Sequence, residues 1–545
     1  MTGIWNLIFA VLAAAATAFA ALHAVHMLQL ESYQGNMYLK WLRRAGKSDA
    51  LTALLLGVMA FFLHTAWIFF VEIQPMFAQF LWYGGDAAFI AAMLYIGFSD
   101  RKLPAKKPLV FTGRVKRMLA CLFVLAFLFH MNLFLPFPVL DLGSVLILNL
   151  LRYLPGILLP LFVLLAHIVM LPAENGIKRW YFNDARRKLA ARGDLIKVGI
   201  TGSYGKTSTK FILGTLLQEE WNTLVTPSSF NTPMGITRVI REQLTPEHKA
   251  FVAEMGARYK GDISELCRLV QPRYGIVTAV GRQHLETFGS YEAVIETKSE
   301  LLRALPKDGA AFLNGDNPDC RRMYDECALP NKFLFGLTGD DLYLKAEEIE
   351  VSPAGSTFTL VTREGERVRC ATQLMGKHNI ANITGAAALA KYLGVSMELI
   401  AIAIEKLEPV EHRLQLIHGQ GGLTVIDDAF NANPSGTEAA LEVLKSFAPA
   451  RRVIVTPGMI ELGPEEEQLN EAFGRGIAGA ADIAILVGKA RVEPIRRGLL
   501  DAGFPQECIV QVQSLREATD RLPLYTVPGG VVLFENDLPD NYDNA

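Results

Sequence analysis

At 545 residues the chain is long enough for three or four domains, and its hydrophobic fraction of 51% is high for a soluble protein. A formal net charge of −2 leaves no global signal for a nucleic-acid partner. The six cysteines are scattered with no Cys-x-x-Cys pair, which argues against a cysteine-based metal site and for a reduced, cytosolic setting.

The average hides two unlike halves. Five apolar segments, at 4–28, 51–71, 77–98, 118–135 and 145–171, are long enough to cross a bilayer. The first is too long for a cleaved signal peptide, and too many others follow it. The first connection carries Lys40, Arg43, Arg44 and Lys47, and the third carries Arg101, Lys102, Lys106, Lys107, Arg114, Lys116 and Arg117. The stretch after the last segment carries Lys178, Arg179, Arg186, Arg187 and Lys188, whereas the second and fourth connections carry no Lys or Arg. The positive-inside rule then sets the N-terminus outside and everything beyond residue 171 in the cytoplasm. His64, Asp86, His130 and Arg152 fall inside these segments, about 9–15 Å deep from the outer face at 1.5 Å per residue. Either they form one polar site in the outer half, with Asp86 and Arg152 paired, or they make isolated hydrogen bonds between helices.

Residues 173–194 are basic and aromatic (Trp180, Tyr181, Phe182) and read as an interfacial linker helix along the inner leaflet. Beyond it, strand-like runs such as 251–255, 274–280 and 310–313 alternate with helical ones at 261–270 and 291–305. This predicts a parallel α/β sheet, with an antiparallel excursion over 342–370. A second α/β unit has strands near 423–427, 452–456, 483–487 and 531–534. The expected fold is therefore multi-domain. An N-terminal α-helical membrane bundle of five spans occupies 1–172. A central α/β domain occupies 195–412 and a C-terminal α/β Rossmann-like domain 413–545.

The strongest chemical signal follows the apolar run 195–201. It reads Gly202-Ser203-Tyr204-Gly205-Lys206-Thr207-Ser208-Thr209 and leads into a helical stretch. A glycine turn between strand and helix aims backbone N–H groups at an anion. Lys206 adds a point charge for the β/γ-phosphates, and the Thr207 hydroxyl can ligate Mg²⁺, so the central domain 195–412 reads as an α/β P-loop ATPase domain. Ile200 stands where the strict P-loop pattern has its first glycine. Glu254 follows a later strand and is placed to hold Mg²⁺, because strand C-terminal ends face the ligand crevice of a doubly wound sheet. Gly281-Arg282-Gln283-His284 follows another strand, Lys298 lies on the next helix, and Gly376-Lys377-His378-Asn379-Ile380-Ala381-Asn382 comes after.

In order and spacing these motifs resemble the Mur ligase family, within it the D-alanyl-D-alanine-adding branch, over residues 195–487. The resemblance also rests on Phe230-Asn231-Thr232-Pro233-Met234-Gly235, His284-Leu285-Glu286-Thr287-Phe288-Gly289, Arg413 and Asp427-Asp428-Ala429-Phe430-Asn431-Ala432-Asn433-Pro434. It implies an ATP- and Mg²⁺-dependent amide-bond ligase that makes an acyl-phosphate from a carboxylate and lets an amine attack it. By match, Gly202 to Ser208 would cradle ATP, with Lys206 and Thr207 on the phosphates and the first Mg²⁺. Glu254 and His284 would serve the metals, and Lys298 would be a carbamylated lysine and second-metal ligand. His378, Asn379 and Asn382 would contact the nucleotide. Arg413 and Asp428 would close over ATP, and Asn431 and Asn433 would lie near the amine.

The membrane block stands where soluble members carry a domain for the UDP part of a sugar-nucleotide. The expectation is a membrane-bound ligase that joins an amino acid or short peptide to a membrane- or lipid-linked carboxylate in cell-wall or surface-polymer biosynthesis, alongside other envelope-biosynthesis proteins. The family's basic glycine-rich turn after 531–534 is replaced by the acidic run Glu535-Asn536-Asp537-Leu538-Pro539-Asp540, which speaks against D-alanyl-D-alanine as the amine. Two alternatives stay open: a poly-γ-glutamate-type synthase and a non-catalytic nucleotide-binding membrane scaffold.

Overall fold

A computed structural model describes residues 2–44, 47–100, 108–132, 142–228, 230–419, 422–429, 432–489 and 491–537. Phe430, Asn431, the acidic residues beyond 537, and Arg101, Lys102, Lys106 and Lys107 lie outside the described residues. The chain falls into two compact units, Met1–Ile177 and Lys178–Leu538.

The first unit is helical. Among the described residues four helices are long and apolar enough to cross a membrane: Ile4–Leu30, Ala50–Phe70, Pro75–Ser99 and Leu159–Ala190. The expectation of five spans is met in part. Of the segment expected at 118–135, residues 118–130 lie on the helix Gly113–His130, whose first turns carry Arg114, Lys116 and Arg117 and shorten its apolar run; residues 133–135 lie outside the described residues. The segment expected at 145–171 is divided between the helices Leu142–Ile157 and Leu159–Ala190. Pro155 and Pro160 flank the break at Leu158, as proline cannot donate into a helical ladder. The helix Leu159–Ala190 then continues through Arg186–Lys188 without a break, so the last apolar segment and the basic linker share one helix.

Close helix packing positions the polar residues of this unit. A Cβ at Gly85 would stand 2.5 Å from the His64 Cα, so glycine alone lets the two helices meet there. His64, Asp86, His130 and Arg152 are all buried and belong to one network. Asp86 Oδ2 accepts from Arg152 Nη2 at 2.9 Å and from Trp5 Nε1 at 2.9 Å. Asp86 Oδ1 accepts from Tyr153 Oη at 2.6 Å, with His64 Nδ1 at 3.3 Å. Arg152 also donates to Asn6 Oδ1 at 3.1 Å, and its carbonyl oxygen lies 2.6 Å from His130 Nδ1.

The second unit holds two α/β sheets. The strands of the first are β1 (Ile196–Thr201), β2 (Thr223–Val225), β3 (Ala250–Glu254), β4 (Tyr274–Val277), β5 (Ala310–Asn314), β6 (Lys332–Gly336), β7 (Leu344–Ser352), β8 (Gly355–Thr362) and β9 (Arg367–Thr372). Their order is β2-β3-β1-β4-β5-β6-β7-β8-β9. Pairing is parallel as far as β7 and antiparallel from β7 to β9, which is the excursion expected over 342–370. Val198 and Ile200 of β1 are fully buried, as expected of a central strand covered on both faces. The helices Lys206–Gln218 and Lys377–Leu393 cover one face through Leu213, Leu217, Ile380 and Ile383. The helices Asp262–Val270 and Tyr291–Ala304 cover the other through Leu266 and Leu301. Ala185 and Leu189, near the end of the basic linker, join that second core, and Asp184 pairs with Arg241 at 2.7 Å.

The second sheet comprises β10 (Gln415–His418), β11 (Thr424–Asp428), β12 (Arg452–Thr456), β13 (Ile483–Val487), β14 (Ile509–Val512) and β15 (Val531–Glu535). The order is β10-β11-β15-β12-β13-β14, parallel except for β10. In the first sheet β1 lies between β3 and β4. The C-terminal ends of these three strands therefore open on one crevice, the position at which doubly wound sheets bind ligands.

Candidate active site

The phosphate-type loop leaves β1 at Gly202. Ile200 is buried core, so the turn begins two residues after the strict pattern would place it. Gly205 has φ +81 and opens the helix Lys206–Gln218; a Cβ there would run into Asn382 Oδ1. Hydrogen bonds fasten the loop to the chain after β4. Ser203 N donates to the Ala279 carbonyl at 2.7 Å, Ser203 Oγ to the Gly281 carbonyl at 3.0 Å, and Thr278 Oγ1 to the Tyr204 carbonyl at 2.5 Å. Lys206 Nζ curls over its own loop and donates to the Gly202 and Ser203 carbonyls at 2.8 and 2.9 Å. Burial pulls its pKa down to about 8, against the attraction of Glu254 and with the repulsion of Arg413.

Glu254 ends β3 and is buried. Its Oε2 accepts from Thr207 Oγ1 at 2.9 Å and from Lys210 Nζ at 3.2 Å, and its Oε1 accepts from Asn231 Nδ2 at 2.9 Å. Burial alone would raise its pKa. Lys210, Lys206, Asn231 and Thr207 together outweigh that and hold the carboxyl below the usual range. His284 has φ +53 and begins the helix Leu285–Phe288, with its Nδ1 hydrogen-bonded to Glu461 of the C-terminal domain. Burial depresses its pKa, against the pull of Glu461. Lys298 is buried on the helix Tyr291–Ala304, near the Phe288 ring. Burial and then repulsion by Lys206 bring its pKa down to about 7. At neutral pH a large share of it is therefore neutral amine, the form that reacts with CO₂.

A cavity of about 560 Å³ opens beside the loop. Thr207, Ser208, Phe211, Asn379, Arg413 and residues 406–412 are among its walls, and its size suits a nucleotide. Asn379 is held by donating to the Met375 carbonyl at 2.8 Å. Asn382 stands behind the loop and accepts from Thr209 Oγ1 at 3.2 Å, while half-buried His378 lies against Gly376. Asp428 ends β11, accepts from Leu414 N at 3.3 Å and is pushed up to about 6 by burial, with Arg413 opposing the shift. Asn433 caps the helix Pro434–Lys445 through Gly436 N at 3.0 Å.

The structure thus draws the loop, Thr207, Glu254, Asn379 and Arg413 to one crevice. Asn382 and Asp428 stand just behind its walls. The sequence reading assigned no role to Lys210, Asn231, Glu461 or the wall 406–412. Lys210 had a local signal, one helical turn beyond Lys206; the others come from distant elements.

Residues 200–390 match the family model of the Mur ligase middle domain, and residues 412–535 that of the Mur ligase glutamate ligase domain. The "UDP-N-acetylmuramoyl-tripeptide--D-alanyl-D-alanine ligase" of Mycobacterium leprae (strain TN) is 33% identical over 370 residues, covering 63% of this chain and 71% of the relative. The chain belongs to the Mur ligase family. The protein of the same name from Escherichia coli (strain K12) is 34% identical over 293 residues, or 54% of this chain; the chain spans 64% of that relative's length. Two crystal structures of MurF from Acinetobacter baumannii share 26% and 28% identity, with TM-scores of 0.61 and 0.59. Each comparison covers 67% of this chain and 78% of the other.

Mur ligases are ATP-dependent, ADP-forming amide ligases that work with Mg²⁺. The donors in this Mur ligase fit an ion that arrives with its nucleotide. Among the described residues no group of three His, Cys, Asp or Glu gathers that could hold an ion alone. The crevice instead offers the Glu254 carboxylate and the Thr207 hydroxyl at the phosphate loop. Mg²⁺ takes one or two carboxylates and fills its shell with water and phosphate oxygens.

Proposed function

We propose that this Mur ligase is a multi-pass protein of the cell membrane with its α/β domains in the cytoplasm. It joins an amino acid or short peptide to a membrane- or lipid-linked carboxylate in cell-envelope biosynthesis, through an acyl-phosphate. The observation that carries the reading is the convergence of Lys206, Thr207 and Glu254 beside a nucleotide-sized cavity, in a chain that also holds four long apolar helices.

The roles follow from charge and position. The loop from Gly202 to Ser208 binds the phosphates, and Lys206 leaves its own carbonyls to meet them. Glu254, Thr207 and His284 would hold Mg²⁺, and Lys298, carbamylated by CO₂ with loss of a proton, would be a further, anionic metal ligand. Bound Mg²⁺ supplies positive charge where the γ-phosphate meets the carboxylate. Asn379 and residues 406–412 bind the base and ribose, and Arg413, with Asp428 behind it, closes over the phosphates. His284–Glu461 and Arg282–Glu465 draw the C-terminal domain in and exclude water from an intermediate that hydrolyses. The amine enters near Asn431 and Asn433. The apolar helices keep the enzyme beside its lipid-linked substrate, and the Asp86–Arg152 network is a polar site within them.

The test is ADP release by detergent-purified protein given membrane lipid extract and candidate amines, with the product identified by mass spectrometry. An amide on a lipid-linked acceptor, absent with Lys206→Ala, is expected. Turnover that survives Lys206→Ala, or a product without lipid, would sink the reading.

A further inference from the structure

We infer that Glu461 of the C-terminal domain is a positioning residue for His284, so that the His284 side of the site is completed only when the two α/β domains are together. This rests on the reading of His284 as a metal-holding residue.

Glu461 follows β12, far in sequence from His284, yet its Oε2 is hydrogen-bonded to His284 Nδ1. An ionised carboxylate has no hydrogen to give, so Nδ1 carries the proton and donates. The lone pair is then left on Nε2, which makes no hydrogen bond among the described residues. Metal-ligating histidines are commonly oriented in this way, by a carboxylate on the other ring nitrogen. The second oxygen of Glu461 is not idle: Oε1 lies 3.6 Å from Arg258 Nη2, also of the central domain. Both His284 (φ +53) and Glu461 (φ +63) are non-glycine residues in the left-handed region, a conformation that persists where surroundings fix it. A second pair, Arg282–Glu465, bridges the same two segments without touching His284. It provides a control for simple latching of the domains.

The experiment uses the full chain in detergent. Imidazole ¹⁵N spectra, with His284 assigned through His284→Gln, report the tautomer, and Mn²⁺ binding in the presence of ADP reports the site without turnover. The Nδ1–H tautomer is expected in the unaltered protein. Glu461→Gln should mix the tautomers and weaken Mn²⁺ binding by about 10- to 100-fold. Glu461→Asp should restore part of both, and serves if the glutamine variant does not fold. Glu465→Gln should leave both unchanged. An unaltered tautomer and Mn²⁺ affinity in Glu461→Gln would overturn the proposal, as would an equal loss in Glu465→Gln. Failure of the ligase reading would show separately, as no amide product from unaltered protein whose tautomer and Mn²⁺ binding still respond to Glu461.

Discussion

Thr207 donates its hydroxyl hydrogen to Glu254 Oε2 at 2.9 Å, which ties the first turn of one helix to the end of the neighbouring strand. Lys210 reaches the same oxygen from the next turn of that helix. Glu254 is therefore both a candidate ligand and the counter-charge of a buried lysine.

Glu254→Gln should accordingly cost stability as well as activity. Removing one partner of a buried ion pair typically costs about 3–5 kcal/mol. Adding Lys210→Met should recover most of that stability while leaving ADP release at least about 100-fold down. Denaturation midpoints and turnover of the single and double variants check both halves.

Gly205→Ala should impair nucleotide binding more than folding. The position has φ +81, and the added Cβ meets Asn382. A loss of at least about tenfold in ATP affinity is expected, with an unfolding midpoint only modestly lowered. Adding Asn382→Gly should recover part of the affinity by removing the collision, though not the backbone strain. Nucleotide titration of the two variants checks this.

Lys298 carries a pH signature with a definite sign. Its pKa is about 7 in the fold against 10.5 for a free lysine. Below pH 7 it is charged folded and unfolded, and the burial penalty stands in full. Between about pH 7 and 10.5 the unfolded chain binds a proton that the folded one does not, so this contribution makes stability rise with pH, by at most about 1.4 kcal/mol per unit. In CO₂-free buffer Lys298→Met should remove that part of the slope and raise stability near neutrality. Lys298→Ala should lose turnover and regain some with acetate or formate; Lys206→Ala should gain nothing from them.

Asp86 and Arg152 should behave as a pair. Either Asp86→Asn or Arg152→Gln should destabilise the protein in detergent by about 3–5 kcal/mol. If the network serves a function rather than folding alone, Asp86→Leu with Arg152→Met should restore stability yet leave envelope-substrate turnover depressed. Turnover equal to that of the unaltered protein would make the network purely structural.

Much of this was legible in the sequence because its signals are local. Alternating strand and helix runs announce the parallel sheet, and Gly202–Lys206 announces the loop, because turn glycines and a buried strand are each written in a few residues. The antiparallel excursion is visible in the alternation of 357–361. Glu461 and the wall 406–412 were not legible, since nothing near them says what they will face; that is decided by how the domains meet. The division of the segment 145–171 at Leu158 was not legible, because hydropathy does not register a break beside proline. Of the span expected at 118–135, three basic residues at the start of its helix shorten the apolar run among the described residues.

Eight of the residues around the cavity beside the phosphate-type loop, 406–413, are also the covalent connection between the two α/β domains. A ligand that fills the cavity would therefore do more than occupy a site: it would fix the conformation of the tether. Base and ribose contacts would then set how often the phosphate end is correctly assembled, and a triphosphate without its base should turn over slowly even at saturation. For inhibitor design, compounds reaching residues 406–413 would act by choosing the posture of the tether, without competing for the phosphate loop.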